Sequence, residues 1–333
     1  MGSSSFPSVP AALPAAFTAT DLRPAGRPTI YFVGMTTAQS SIMRVFPCWA
    51  QFLKLGDVAI QGIDCRWHDE PHVYRRVVEF IRDDPLSRGA LVTTHKIDLL
   101  RSCRDLFDTL DSHAELMGEI SCIAKRDGRL CGSAKDPISS GLALEAFLPD
   151  GHWSNTGADA FILGAGGSAI AITSHLMAAW HGKDRPARLI VSNRSPARLG
   201  EMAGIHRRLD AAFPVEYYCT PHAPDNDAIL ASLSPHSLVI NATGLGKDAP
   251  GSPLTDAALF PQSGWVWDFN YRGDLGFLRQ ARAQAGDRRL QVVDGWVYFL
   301  HGWTRVIAEV FNIGIPVKGP HFEELARLAL EVR

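Results

Sequence analysis

Apolar positions along the chain fall into two alternating rhythms. Short apolar runs at 29–34, 57–64 and 90–93 are each followed by apolar residues at helical spacing, at 45–55, at 71–81 and again up to about residue 107. A strand buried on both faces reads as a continuous apolar run, and parallel strands need a long crossover, so this alternation predicts parallel strands with helices between them. The segments 120–125 and 129–134 flank Arg126-Asp127-Gly128, and Asp-Gly at such a junction predicts an antiparallel hairpin. A helix is expected from about 137 to 148.

Beyond the glycine-bearing stretch 151–157 the rhythm resumes, with strands expected at 160–163, 187–192, 215–219, 237–242, 265–269 and 290–294. After Gly295 the pattern turns helical, and a last helix is expected over 321–332. The fold class this predicts is α/β, in two domains. One domain spans 27–147 and is completed by the returning helices of 296–333; the other is a Rossmann-type unit over 148–295. Residues 1–26, rich in Ser, Pro and Ala, are expected to be a flexible tail outside the fold.

Composition narrows the partners. A length of 333 residues with 46% hydrophobic content suits two cores, and a net charge of -2 provides no basic footprint for nucleic acid or an anionic membrane. No apolar run is long enough to span a bilayer, and the N-terminus lacks the layout of a secretion signal. Six cysteines are scattered without metal-ligand spacing, which points to reduced thiols, no metal and a cytoplasmic location. Cys122 and Cys131 lie on the two arms of the hairpin, but nothing in the sequence argues for a bridge between them. The expected partner is a small molecule, and the chain is expected to be a monomer or a homodimer.

The chemistry concentrates after the strand at 160–163. Gly164, Ala165, Gly166, Gly167 and Ser168 turn directly into an apolar helical pattern. Glycines there allow a tight turn and a close approach of backbone to a pyrophosphate, which rests on the N–H groups of the helix N-terminus. The next strand delivers Asn193, Arg194, Ser195 and Arg198 to the place of the adenosine ribose. An acidic residue there would hold a 2′-hydroxyl; guanidinium groups match a phosphate instead, so the cofactor expected is NADP.

The order of motifs resembles the shikimate dehydrogenase family from Thr29 to the C-terminus. Gln39-Ser40 falls at its carboxylate-reading loop, Lys96 ends the counterpart of its Asn-Val-Thr-x-Pro-x-Lys, and Asp136 ends that of its Gly-x-Asn-Thr-Asp. The stretches 240–243, 268–271 and 294–295 match its nicotinamide-side loop, its Asp-x-x-Tyr and the start of its returning segment. The resemblance implies an NADP-dependent alcohol dehydrogenase. Lys96 and Asp136 are then the catalytic pair, Ser40, Thr93, Ser121 and Tyr271 face the substrate, and Thr243, Phe269 and Gly295 join the cofactor site.

Chemistry agrees with that pair, since oxidising a secondary alcohol needs a base for the hydroxyl proton and a partner that orients it. The substrate side departs from the family. Ile42 and Met43 stand at its second serine and its proline, Val92 at a threonine, Ser121 and Ala134 at asparagines and Gly302 at a glutamine. The resemblance implies a cyclic polyol acid such as shikimate or quinate, or a relative, as substrate, and a pocket that has exchanged its polar partners changes its selectivity within that class. Two other readings compete: a non-catalytic NADP-binding regulatory protein of the same fold, and a different dehydrogenation on the same plan.

Overall fold

The computed structural model describes residues 14–247 and 249–333. By packing, the chain divides into two units, one running up to Lys135 and completed by Gly302–Arg333, the other Asp136–His301.

The first unit contains strands β1 (Phe17–Thr18) and β2 (Thr29–Gly34), helix α1 (Ile42–Phe52), β3 (Ala59–Asp64), α2 (Pro71–Asp83), β4 (Ser87–Val92) and α3 (Lys96–Cys103). There follow β5 (Thr109–Leu110), α4 (Ser112–Met117) and the hairpin β6 (Cys122–Arg126) and β7 (Arg129–Ser133). Its sheet has the order β1-β3-β2-β4-β6-β7-β5, parallel from β1 to β4, with β6 antiparallel to both β4 and β7. All six residues of β2 are buried, as a central strand covered on both faces requires. Helix α2 turns Tyr74, Val77, Val78 and Ile81 into the core, the i, i+3, i+4, i+7 stripe of an amphipathic helix.

The second unit runs through α5 (Asp136–Glu145), α6 (His152–Thr156), β8 (Ala160–Leu163), α7 (Gly167–Leu176), β9 (Leu189–Asn193), α8 (Pro196–Leu209), β10 (Val215–Cys219) and α9 (Ala223–Ala231). It continues with β11 (Leu238–Asn241), β12 (Trp265–Asp268), α10 (Gly276–Ala283), α11 (Ala285–Arg288) and β13 (Gln291–Val293). All strands are parallel in the order β10-β9-β8-β11-β12-β13. That is the doubly wound 3-2-1-4-5-6 order, whose ligand crevice lies outside the strand C-termini where the winding reverses, here between β8 and β11. Helix α12 (Trp296–Phe311) carries the chain from the second unit into the first, and α13 (Pro320–Glu331) ends it.

Several expectations change. Residues 1–13 of the expected tail lie outside the described residues, but residues 17 and 18 are not tail: β1 pairs with Ile63 and Asp64. Helix α5, expected in the first domain, packs in the second, where Gly141 lies so close to His175 that a Cβ would stand 2.2 Å from its Nδ1. The hairpin register sets Cys131 opposite Ala124 and Cys122 opposite Ser133, and both thiols are free. Among the described residues no helix is long and apolar enough to cross a membrane.

Candidate active site

The glycine turn after β8 is built from backbone constraints. Gly164 has φ +115°, and a Cβ there would lie 2.8 Å from the Ala242 carbonyl oxygen, so the turn presses against the loop that follows β11. Only glycine tolerates both conditions. Gly166 is the N-cap of α7, with no side-chain cap, and a Cβ there would meet nothing within 4 Å. The first N–H groups of α7, at Gly167 and Ser168, have no carbonyl of their own helix to bond and no side-chain cap at Gly166.

At the end of β9, Asn193 Oδ1 accepts the Arg194 N–H at 2.9 Å, and Ser195 Oγ caps α8 by accepting the Arg198 N–H at 3.4 Å. Pro196 follows the cap at N1, where its missing N–H costs nothing. Arg198 pairs with Glu201 at 3.0 Å, whereas Arg194 is exposed and forms no ion pair among the described residues. The C-terminal end of β9 thus presents a guanidinium, unpaired among the described residues, beside a helix N-terminus.

Beyond the reversal point the strand ends are tied to one another. Thr243 donates its hydroxyl to Asn241 Oδ1 at 2.7 Å, and Asn241 donates from Nδ2 to Asp268 Oδ1 at 3.2 Å. Asn270 donates its backbone N–H to the same oxygen at 2.9 Å, while Asp268 Oδ2 is sealed without a donor. Burial, helped by the nearby Asp294 charge, pushes the Asp268 carboxyl up to about 6, although three hydrogen bonds oppose the shift. Gly295 is required where it stands, because a Cβ would lie 2.0 Å from the Phe269 carbonyl oxygen.

Asp136 opens α5 and is buried. Its Oδ2 accepts the Tyr298 phenol at 3.0 Å, and the Tyr298 ring packs at 4.8 Å on Phe269. Tyr271 packs against Trp296 and Phe299, which stack on each other, its ring 5.3 and 4.8 Å from theirs. The second unit thus brings together Asp136, Phe269 and the aromatic residues of the first turns of α12.

In the first unit, the remaining residues collect where β2, β4 and β6 meet. Ser40 follows a single 3-10 turn after β2 and is buried, and Thr93 donates its N–H to the Val33 carbonyl at 3.0 Å. Ser121 Oγ accepts the Lys135 N–H at 2.8 Å, so this hydroxyl also fastens the end of the hairpin. Lys96 is the first residue of α3, preceded by the buried His95. Val92, at one of the family's polar positions, is wholly buried, and Ile42 is as well. Among the described residues, no group of three His, Cys, Asp or Glu side chains is placed to hold a metal.

Two contacts escaped the reading of the sequence: that of Tyr298, readable as a candidate pocket residue, with Asp136, and that of Tyr74, whose hydroxyl meets His95 Nδ1 at 3.2 Å. Both sit inside ordinary helical periodicity, which carries no signal for a contact so far away along the chain. Ser121 and Thr243 were readable as polar residues at strand ends, but not as the fasteners they also are.

No family model matches the chain. It is 32% identical over 197 residues to a shikimate dehydrogenase (NADP(+)) of Symbiobacterium thermophilum, covering 58% of this chain and 61% of that protein. It is 28% identical over 255 residues to the enzyme of the same name from Chelativorans sp., covering 76% and 81%. The match thus spans about three fifths of the length of the Symbiobacterium relative. Among solved structures, the quinate dehydrogenase of Corynebacterium glutamicum in complex with NAD superposes with a TM-score of 0.68 at 18% identity, over 92% of this chain and 99% of that one. A Thermus thermophilus shikimate 5-dehydrogenase in complex with NADP(H) and shikimate gives 0.65 at 21% identity, over 90% and 99%. A 5-ketofructose reductase of a Gluconobacter strain, in ligand-free form, gives 0.62 at 18%, over 93% and 100%. In sequence this chain is similar to shikimate dehydrogenases (NADP(+)), and its two α/β units share the fold of solved shikimate and quinate dehydrogenases.

Proposed function

We propose that the protein is an NADP-dependent alcohol dehydrogenase, acting on a secondary alcohol of a cyclic polyol acid such as shikimate, quinate or a related compound. The observation that carries this reading is the pairing of a helix N-terminus without a side-chain cap at Gly166 with a guanidinium at Arg194 that forms no ion pair among the described residues, at the strand C-termini of a doubly wound sheet. Phosphate groups fit both features: backbone N–H donors aligned with a helix dipole suit a pyrophosphate, and a guanidinium suits a 2′-phosphate. NADP supplies the hydride acceptor when bound.

The chain's own residues then divide the remaining work. Lys96 takes the hydroxyl proton, and Asp136, held by Tyr298, orients the hydroxyl. Ser40, Thr93, Ser121 and Tyr271 line the substrate side, and Thr243, Phe269 and Gly295 shape the floor for the nicotinamide. The names of the relatives support the cofactor and the reaction, and the changes at Ile42, Val92 and Gly302 support a substrate that differs from shikimate in its polar groups.

The test is binding of NADP+ and NAD+ by titration calorimetry, followed by reduction of each against shikimate, quinate, their amino analogues and neutral ketoses. Tight NADP+ binding and turnover that disappears in Lys96→Ala is expected. Binding without turnover of any alcohol would replace the enzyme with a regulatory protein, and turnover surviving Lys96→Ala would reject the base.

A further inference from the structure

The turn before Lys96 is held in a conformation that its sequence does not favour. Thr94 has φ +48°, in the left-handed region that a β-branched side chain rarely occupies, and it is exposed, so no packing of its own side chain compensates. The His95 N–H closes back on the Thr93 carbonyl, making the turn one residue tight. Strain of this kind persists only where neighbouring groups fix the backbone on either side.

His95 supplies that fixation. Its side chain is 1% exposed and its ring lies against that of Tyr74, which is itself wholly buried on α2. The Tyr74 hydroxyl accepts the Asp69 N–H at 3.0 Å and meets His95 Nδ1 at 3.2 Å. The phenol oxygen can accept a second hydrogen bond or donate its own proton, so this contact holds the ring whichever nitrogen carries the imidazole proton. Burial keeps the ring neutral by pulling its pKa down, against smaller opposing pulls from the Gly34 and Cys65 carbonyls and the Asp98 charge. The His95 carbonyl then accepts the Leu99 N–H at 2.8 Å, closing the first turn of α3. One anchored residue therefore sets both the strained turn and the start of the helix on which Lys96 stands first.

We infer that Tyr74 and His95 are positioning residues for Lys96: the buried pair pins the turn at 93–95 and so fixes where the lysine amine emerges. This rests on the proposal that Lys96 is the base. Neither residue needs to touch substrate, so their loss should appear in turnover and not in substrate binding.

The experiment compares Tyr74→Phe, His95→Leu, His95→Asn and Lys96→Met, in the full chain, by steady-state kinetics on whichever alcohol the panel identifies. Tyr74→Phe and His95→Leu are expected to lower kcat about tenfold or more with KM within twofold of wild type. His95→Asn, whose amide can present an oxygen or an N–H in place of Nδ1, should recover most of kcat. Thr94→Gly offers a surface variant that does not disturb the core: relieving the turn should leave Tm at or above wild type while kcat falls and KM holds. Wild-type kcat in Tyr74→Phe and Thr94→Gly, with Lys96→Met inactive, would overturn the positioning role and leave the base in place. Full activity of Lys96→Met would overturn both.

Discussion

Tyr298 donates its phenolic proton to Asp136 Oδ2 across 3.0 Å, joining two residues 162 positions apart in the chain. The bond ties the first residue of α5 to the first turn of α12, and both belong to the second unit. A carboxyl buried at the start of a helix has few conformations open to it, and the phenol removes most of those that remain. The expected consequence is that Asp136 meets its substrate already oriented.

Tyr298→Phe should therefore reduce kcat/KM. A hydrogen bond to a charged acceptor contributes roughly 1.5–3 kcal/mol, which corresponds to a loss of about tenfold or more. Because the phenol acts through Asp136, the variant should cost little in an Asp136→Asn background. Steady-state kinetics on the two single variants and the double variant measure that coupling; equal, independent losses would separate Tyr298 from Asp136.

Arg194 and Arg198 are not equivalent, although the sequence presents them as a pair. Arg198 is engaged by Glu201 at 3.0 Å, and Arg194 is unpaired among the described residues. Arg194→Ala should weaken NADP+ binding about ten- to a hundredfold and leave NAD+ nearly unchanged, because a charge-assisted bond to phosphate is lost only where the phosphate exists. Glu201→Gln should tighten NADP+ modestly by releasing Arg198. Calorimetric titration of both cofactors checks each direction, and equal losses for NAD+ and NADP+ would move the 2′-phosphate elsewhere.

Asp268 imposes a pH dependence on stability. Its carboxyl is raised from 3.8 to about 6 in the folded protein, chiefly by burial. The folded state therefore holds a proton that the unfolded chain releases, so its favourable contribution is complete below about pH 4 and is lost as pH rises through about 6. The difference amounts to something on the order of 2–3 kcal/mol against the folded state at neutral pH. Asp268→Asn keeps an acceptor for Asn270 and Asn241 and cannot ionise, so it should melt higher than wild type at pH 7, with the gap closing at pH 4. Thermal melts of both proteins from pH 4 to 8 provide the measurement; a gap independent of pH would show that ionisation is not the cause.

The periodic pattern disclosed the two units because it is the direct imprint of burial. The six buried positions of β2 and the Tyr74–Ile81 stripe are visible as soon as apolar residues are marked. The glycine turn was visible for a related reason, since a position that excludes a Cβ leaves glycine as its trace. What the pattern could not show are relationships made by tertiary structure alone: β1 joining the sheet edge from within an apparent tail, α5 packing on α7 across Gly141, and the phenols of Tyr74 and Tyr298 finding His95 and Asp136. Each of these depends on where a side chain arrives after the backbone has folded, and a tyrosine at a core-facing position looks the same whether or not its hydroxyl has a task.

Two glycines of one turn separate folding from binding. At Gly164, alanine would have to adopt φ +115° and place its Cβ 2.8 Å from a carbonyl oxygen, so Gly164→Ala should lower Tm by several degrees before any ligand is considered. At Gly166 the backbone is extended, with φ -88° and ψ -176°, which any residue adopts, and a Cβ would enter open space. Gly166→Ala should therefore melt like wild type in the absence of cofactor. If a pyrophosphate lies against the N-terminus of α7, the added methyl group stands where the phosphate oxygens approach, and the dissociation constant for NADP+ should rise by tenfold or more. Melting curves with and without NADP+ distinguish the two effects in one experiment: wild type gains stability from the ligand, Gly166→Ala starts level with it and gains little. A normal ligand-induced shift in Gly166→Ala would place the phosphates away from this turn, and with them the cofactor site proposed for the second unit.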